Sequence, residues 1–394
     1  MKGIGGFKSF CQGESHKASA KPCQDYALFE SRGSFSMAVV SDGHGGARYF
    51  RSNIGSQMAV NCTKKAMERF VIESKTSDLF TNFPLEQFGV NLTDKELKNE
   101  RYQYLKWLTS SIIAQWHREI RKHAVSTPIS DWEKTHVAPE YIKEFNDKVQ
   151  SVDGTFEKMY GCTLIVYVQT PSFWIAFQIG DGKAVFFDVV DGSIVANQPI
   201  PWDERCFLNK TTSICDSEAA QEFRYCCCGN GKFPEAVFLG SDGIDDTYGD
   251  GDKLTDFYIR LYKEVATTSE TKAEKVLEED LPVISRLGSK DDMSVACVYN
   301  KNRQHIIDNY LLMSQWQIAK IHERTGALEV RIKELKVKIA ILEDCRNMTE
   351  AQRIEIQYAN NDLNRAYDEI DKLEEQKNSI HNADTDFKTR KKIG

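Results

Sequence analysis

The chain has 394 residues and no uninterrupted apolar run near the about 18 that a membrane-spanning helix needs. Its densest runs, Cys162–Val168 and Phe173–Phe177, suit buried strands. No Cys-x-x-Cys pair occurs, so zinc-ribbon and thioredoxin-type readings lack support. The 11 cysteines are dispersed, except for Cys226-Cys227-Cys228, whose neighbouring side chains in a strand would point to opposite faces. They read as reduced thiols packed as small hydrophobes in a cytosolic protein. There is no excess of basic charge: 51 Lys and Arg stand against 58 Asp and Glu, a net of −7. That gives no electrostatic case for nucleic acid or an anionic membrane as partner. The N-terminus carries no apolar signal region, so an unprocessed cytoplasmic protein is expected. A P-loop is also missing: Gly182-Lys183 has Phe177 where the motif needs glycine, and Gly231-Lys232 runs into Phe233. The single Cys-x5-Arg match, Cys297 to Arg303, begins inside an expected strand and has no glycine with which to cradle phosphate.

Proline and glycine become scarce near residue 303. Beyond it no proline occurs, and the only glycines are Gly326 and Gly394. Helix formers dominate there. Alternating steps of four and three from Ile307 reach Leu311, Ser314, Ile318, Ile321, Thr325, Leu328, Ile332, Leu335, Ile339 and Leu342. Such a heptad seam predicts a left-handed coiled coil about 60 Å long. Thr349-Glu350-Ala351-Gln352 is a capping-box signature, and a second seam follows through Ile356, Ala359, Leu363, Ala366, Ile370 and Leu373. An antiparallel helical hairpin over 303–380, turning near Asn347, is the simplest structure. It is expected to mediate oligomerisation or to bind a partner protein. Residues 381–394 read as a polar, solvated tail.

What is present before residue 303 is a set of short apolar strands. Phe35–Ser41, Cys162–Gln169, Trp174–Ile179, Ala184–Val189, Glu222–Cys228, Ala236–Gly240 and Met293–Tyr299 are expected strands. Turn signals close in sequence favour antiparallel meanders and an α+β class. Lys75–Gln150 stands apart as a mainly helical insert, with Leu97, Tyr104, Leu105, Leu108 and Ile112 suited to one helical face.

Aspartates end several of these strands. Ser41-Asp42-Gly43-His44-Gly45-Gly46, Gly180-Asp181-Gly182 and Ser241-Asp242-Gly243 each follow a strand, and Lys290-Asp291-Asp292 precedes one. Any one Asp-Gly is ordinarily a tight turn. Four together suit a hard cation, because converging carboxylates repel one another without one. Two such ions form a clamp for phosphoryl hydrolysis.

The order Gln24-Asp25, Ser41–Gly46, Gly180–Gly182, Ser241–Asp246 and Gly288–Ser294 resembles the type 2C metal-dependent serine/threonine protein phosphatases. Ser15-His16…Pro22-Cys23-Gln24-Asp25 is most similar to a bacterial branch of them. The resemblance covers roughly residues 1–302. It implies an antiparallel β-sandwich flanked by helices (αββα) and Mn²⁺ or Mg²⁺, as two ions or three. It implies hydrolysis of phosphoserine or phosphothreonine in a phosphorylated protein substrate, through a water activated by two metals, and a serine/threonine kinase whose work is reversed. Asp42 matches the bridging carboxylate, Gly43 the carbonyl ligand, and Asp242 and Asp291 the remaining ligands of the first ion. Asp181 and Asp246 match acids near a third ion. Asp25 matches a group that orders water, and His44 matches a general acid.

Two departures stand out. Gln24 replaces the family's usual glutamate, and a neutral amide is a weaker metal ligand. Ala20 stands where a phosphate-binding arginine is usual, leaving Lys21 or His16 as substitutes, with Arg48 just beyond the turn. These departures and the long hairpin keep a second reading open, a degenerate phosphatase fold serving as a scaffold or sensor.

Overall fold

The computed structural model describes residues 3–74, 78–151, 155–206, 210–249, 251–344 and 348–392. Asn347, the expected turn, lies outside them. In chain order come β1 (Ile4–Cys11), α1 (Glu14–Ala18), β2 (Tyr26–Ser31), β3 (Ser36–Ser41) and α2 (Ser52–Ser74). Next are β4 (Glu86–Phe88), α3 (Asp94–Leu97), α4 (Glu100–Ser126), α5 (Asp131–His136) and α6 (Pro139–Gln150). Then come β5 (Leu164–Gln169), β6 (Trp174–Ile179), β7 (Lys183–Val190), β8 (Ser193–Asn197), α7 (Ala219–Glu222), β9 (Arg224–Cys228) and β10 (Ala236–Gly240). The last are α8 (Asp242–Tyr248), α9 (Asp252–Thr267), α10 (Glu270–Leu287), β11 (Met293–Asn300), α11 (Arg303–Glu343) and α12 (Glu350–Lys392). Two compact units result: Met1–Val190 with Val195–Ile306, and Asp191–Ile194 with Ile307–Gly394.

In the first unit two antiparallel sheets face each other. One has the order β1-β11-β10-β7-β8, the other β2-β3-β5-β6-β9-β4. Ala38, Val40, Ile165 and Tyr167 of the second meet Phe186, Val237, Leu239 and Val298 of the first in the layer between them. Met37, Val39, Val166 and Phe177 face the other way, onto the helices. Both faces are therefore dry, which is why β3, β5 and β6 read as continuous apolar runs with no polar alternation. The cysteine triplet obeys the same geometry. Cys226 and Cys228 enter the inter-sheet core and Cys227 the helix-covered one. All described cysteines are free.

The segment 75–150 is less separate than its charge suggests. Leu105, Leu108, Ile112, Trp116 and Ile120 of α4 share one core with β3, β5 and Met67 and Phe70 of α2. Trp116 Nε1 donates to Gly55 O of α2 at 2.9 Å. α4 is thus a layer of the fold, while α5 and α6 are the elaboration. Leu97 departs from the expected face: the helix breaks before Glu100, leaving Leu97 exposed in α3.

The second unit holds most of α11 and all of α12. Ion pairs Arg324–Glu369 (2.8 Å) and Lys338–Glu355 (2.7 Å) and the Ser314 Oγ–Asp384 Oδ1 bond (2.6 Å) make the helices antiparallel. Ile332, Leu335 and Ile339 are buried as the seam requires, and the Thr349–Gln352 capping box forms. Ala359, Ala366, Leu373, Ile380 and Phe387 are buried at intervals of seven. The expected polar tail from 381 is therefore corrected: helix continues to Lys392, and the Phe387 ring stacks on Tyr310 with centroids 3.9 Å apart. An aromatic anchor outweighs the basic run around it. Near the start of α11, Tyr310, Met313 and Gln317 are buried, while Ile307 and Leu311 are only half-buried.

Phe387→Ala should cost the hairpin about 3 kcal/mol, the usual loss for a buried aromatic. Hydrogen exchange over 380–392 checks this. Exchange there that is equally fast in wild type and variant would return the segment to a frayed tail.

Candidate functional site

The strand ends of both sheets meet at one edge of the sandwich. β3 delivers Asp42, β10 delivers Asp242, the β6–β7 turn delivers Asp181, and the segment before β11 delivers Asp291 and Asp292. The Asp42–Gly46 loop is held by its backbone. Thr163 N donates to Asp42 O (2.8 Å), Gly43 N to Gln24 O (3.1 Å), and His44 N to Gly161 O (3.1 Å). A Cβ at Gly43 would lie 2.7 Å from Ser52 O and 2.8 Å from Gln24 O, so no larger residue fits there. Gly180 has φ +103°, and a Cβ would strike Thr163 as well.

The carboxylates crowd. Asp42 lies in the fields of Asp242, Asp25 and Asp291, and Asp242 in those of Asp181, Asp25 and Asp291. Burial, then Asp242 and Asp25, hold Asp42 well above the usual carboxylate range. Burial, then Asp181 and Asp25, do the same for Asp242. Asp25 is pushed up to about 7 by burial and the charge of Asp292. Burial also raises Asp181 and Asp246. Asp25 Oδ2 accepts from Ser294 Oγ at 2.7 Å, while its Oδ1 is buried with no hydrogen-bond partner among the described residues. Mutually raised, oxygen-only groups with an orphaned acceptor are a donor set that fits a hard divalent cation. The donor atoms of His16, Asp291 and Asp292 lie within 4.8 Å of one another, a further grouping able to hold a metal.

Other residues take places that the sequence did not assign. Gln24 turns its Nε2 to His44 O (3.0 Å) and to Ser52 Oγ, and its Oε1 has no partner among the described residues. His16 does not stand free for phosphate: its Nδ1 is 2.9 Å from Asp292 Oδ2 and its Nε2 3.9 Å from Asp291 Oδ1. Lys21 Nζ donates to Gly45 O, in the fields of Asp291, Asp292 and Asp42. Arg48 is paired with Glu144 and so does not reach into the site as a free cation. The half-buried His44 ring lies edge-on to Tyr49 at 4.8 Å, and desolvation lowers it to about 4.

Asp292 and Asp245 were missed. Asp292 is buried and accepts from Gly13 N (2.6 Å) and Gln24 N (2.5 Å), tying the first motif to the last. Its only sequence signal is the doubled Asp291-Asp292. Asp245 is pushed to about 7 by burial, and Lys183 opposes the shift. The neighbouring Asp246, singled out from the sequence, is the exposed member of that pair.

Raised folded-state pKa values mean that the folded protein holds more protons than the unfolded chain between about pH 4 and 7, so this cluster's stabilisation is lost as pH rises. His44, lowered, acts oppositely below its ordinary value of 6.5. Comparing Asp42→Asn with wild type isolates the cluster. In EDTA the variant should be the more stable by about 1–3 kcal/mol at pH 8 and by less at pH 5, and saturating Mn²⁺ should reverse the order. Thermal melts at the two pH values check it. A variant less stable in EDTA at pH 8 would mean that the carboxylates do not repel.

Residues 12–281 match the family described as protein phosphatase 2C. No curated protein matches the chain. Among solved structures the chain is similar to the catalytic domain of the serine/threonine protein phosphatase PstP in complex with two manganese ions. That likeness has 13% identity and a TM-score of 0.42, covering 75% of this chain and 97% of that one. PppA, a regulatory component of the type VI secretion system of Pseudomonas aeruginosa, gives 14% and 0.41, covering 75% and 97%. A sex-determining protein of C. elegans gives 16% and 0.43, covering 79% and 68%. With a family match over more than half its length, on two antiparallel sheets flanked by helices, the chain belongs to the protein phosphatase 2C family.

Proposed function

We propose that this protein is a metal-dependent phosphatase that hydrolyses phosphoserine and phosphothreonine in a protein substrate, reversing a serine/threonine kinase in the cytoplasm. The crowded Asp25–Asp42–Asp242 cluster carries the reading, because a fold kept only for scaffolding has no need of carboxylates that push one another's pKa values up. The free, buried cysteines support a reducing compartment. The Ser15-His16…Pro22-Cys23-Gln24-Asp25 motif supports the bacterial branch.

Asp42, the Gly43 carbonyl, Asp242 and Asp291 would hold two Mn²⁺ or Mg²⁺ ions, with Asp181 and Asp246 at a third. When bound, those ions would activate water for in-line attack and offset the charge of the phosphoryl oxygens. Asp25, anchored by Ser294, turns its free oxygen to receive a hydrogen bond from water. Lys21 lends positive charge to the phosphate. His44 is the general acid for the departing serine or threonine oxygen; desolvation keeps its ring mostly neutral in the free site, so it acts from a minor protonated form. Gln24 braces the His44 loop through Ser52, whatever else it contributes.

Hydrolysis of p-nitrophenyl phosphate and of a phosphothreonine peptide tests this. Activity should require Mn²⁺ or Mg²⁺, vanish in EDTA, and fall at least about 10²-fold in Asp42→Asn. His44→Gln should slow the peptide more than p-nitrophenyl phosphate, whose leaving group needs no proton. No activity with either metal, from folded protein, would favour the scaffold reading.

For the hairpin we propose self-association with a second copy. Val330, Val337 and Ile341 of α11 are 56%, 59% and 65% exposed at heptad spacing, a second apolar stripe apart from the buried seam. Charges of both signs flank it, Glu329 and Glu334 as well as Arg331, Lys333, Lys336 and Lys338, and on α12 Ile354 and Tyr358 are exposed too. Burial of these apolar stripes against a second copy is what drives the association. Light scattering should give a dimer, and Val337→Glu with Ile341→Glu should give a monomer. A monomeric wild type would redirect the stripe to another protein.

A further inference from the structure

The first unit has a second concavity that the carboxylates do not use. It encloses about 440 Å³, between Ala20–Pro22, Phe50–Ile54 and the α4–α5 connection at Thr127–Glu133. Clefts of this size hold a large side chain with its adjoining backbone. The walls are apolar, from Pro22, Phe50, Ile54, Pro128 and Trp132.

Arg51, Glu133 and His123 at its base are already paired. The Arg51 guanidinium is buried and held on Glu133, with Nε–Oε1 at 2.6 Å and Nη2–Oε2 at 3.2 Å. It also donates to Pro128 O (3.1 Å) and Tyr160 Oη (3.1 Å). Its charge is cancelled and its donors are occupied, so Arg51 is no substitute for a phosphate-binding arginine. His123 Nδ1 is 2.8 Å from Tyr160 Oη, and burial with the charge of Arg51 keeps the ring neutral. Of the other lining groups, Lys21 Nζ is turned to Gly45 O and Trp132 Nε1 is a lone buried donor without a hydrogen-bond partner among the described residues, so an apolar side chain whose adjoining carbonyl meets that N–H loses least here. The shape is set in advance, because Ser130 and Glu133 close a capping box that fixes the start of α5 beneath Trp132.

One residue joins this cleft to the carboxylates. Lys21 lines it and also bonds Gly45 O in the Asp42–Gly46 loop, within the fields of Asp42, Asp291 and Asp292. A chain with its phosphate at the Lys21 end lays a neighbouring side chain along Phe50, Ile54 and Trp132. We propose that this cleft selects phosphopeptides that carry a bulky apolar residue close in sequence to the phosphorylated serine or threonine. The proposal rests on the phosphatase reading and makes Trp132 and Ile54 specificity-determining residues of the substrate.

The test is a set of phosphothreonine peptides with Leu, Phe, Gly or Asp at each position from −3 to +3, assayed with Mn²⁺ beside p-nitrophenyl phosphate. Wild type should prefer Leu or Phe over Asp at one position by about tenfold in kcat/KM, carried by KM. Trp132→Ala should erase that preference and leave p-nitrophenyl phosphate turnover unchanged. Ile54→Ala, a smaller change, should reduce it and serves if Trp132→Ala fails to fold. Hydrolysis without an apolar preference at any position, or a preference that survives both substitutions, overturns the cleft and leaves the phosphatase reading intact. If nothing is hydrolysed, that reading fails on its own, and anisotropy of the same labelled peptides decides the cleft. Tighter binding of Leu or Phe peptides, lost in Trp132→Ala, upholds it, and equal binding overturns it.

Discussion

Mutual repulsion among aspartates at the ends of strands from two facing sheets is the constraint on which the first unit turns. Asp42 and Asp242 come from different sheets, so their approach is a consequence of packing the sandwich, not of either strand alone. Each is buried enough that its charge is costly, and each makes its neighbour costlier. Such an arrangement survives only if the surrounding backbone leaves the side chains no other place.

The backbone does so with short, inextensible links. Gly43 sits so close to the carbonyls of Gln24 and Ser52 that no side chain fits there, and its N–H is tied to Gln24 O. Asp292, reaching Gly13 and Gln24 by their N–H groups, joins the first and last motifs although they are 279 and 268 residues apart. A charged acceptor on two backbone donors is among the stronger hydrogen-bonded arrangements available. His16 rests its Nδ1 2.9 Å from the same carboxylate. The acids that crowd are thus framed by one acid that is well satisfied.

This division explains what the sequence makes legible. β5, β6 and β10 are plain because burial on both faces writes an apolar run into the chain. β1 is hidden, for Ile-Gly-Gly-Phe-Lys-Ser-Phe-Cys has two glycines and a lysine, and its strand character comes from pairing with β11 at the far end of the unit. Asp42, Asp181, Asp242 and Asp291 were visible because glycine or strand boundaries mark them. Asp292 was not, because its role lies in distant backbone N–H groups that no local pattern records. α4 looked like an insert because its outer face is charged, while its inner face of Leu105, Leu108 and Ile112 belongs to the shared core. The end of α12 looked disordered because basic residues outnumber the single Phe387 that pins it.

The amide at Gln24 is better understood as a choice of where charge sits than as damage. A carboxylate at this buried position would add another anion beside Asp25, itself already raised by burial and by Asp292. The amide removes that charge and spends its N–H groups on Ser52 and on the His44 carbonyl, so the loop that carries His44 is braced. On the proposed function, the cost would fall on cation affinity, since a neutral oxygen is the weaker donor. The gain falls on the metal-free protein, which has one less repulsive term to survive before an ion arrives. On the proposed function, Asp42, Asp242 and Asp291 keep the charge that a divalent ion would need.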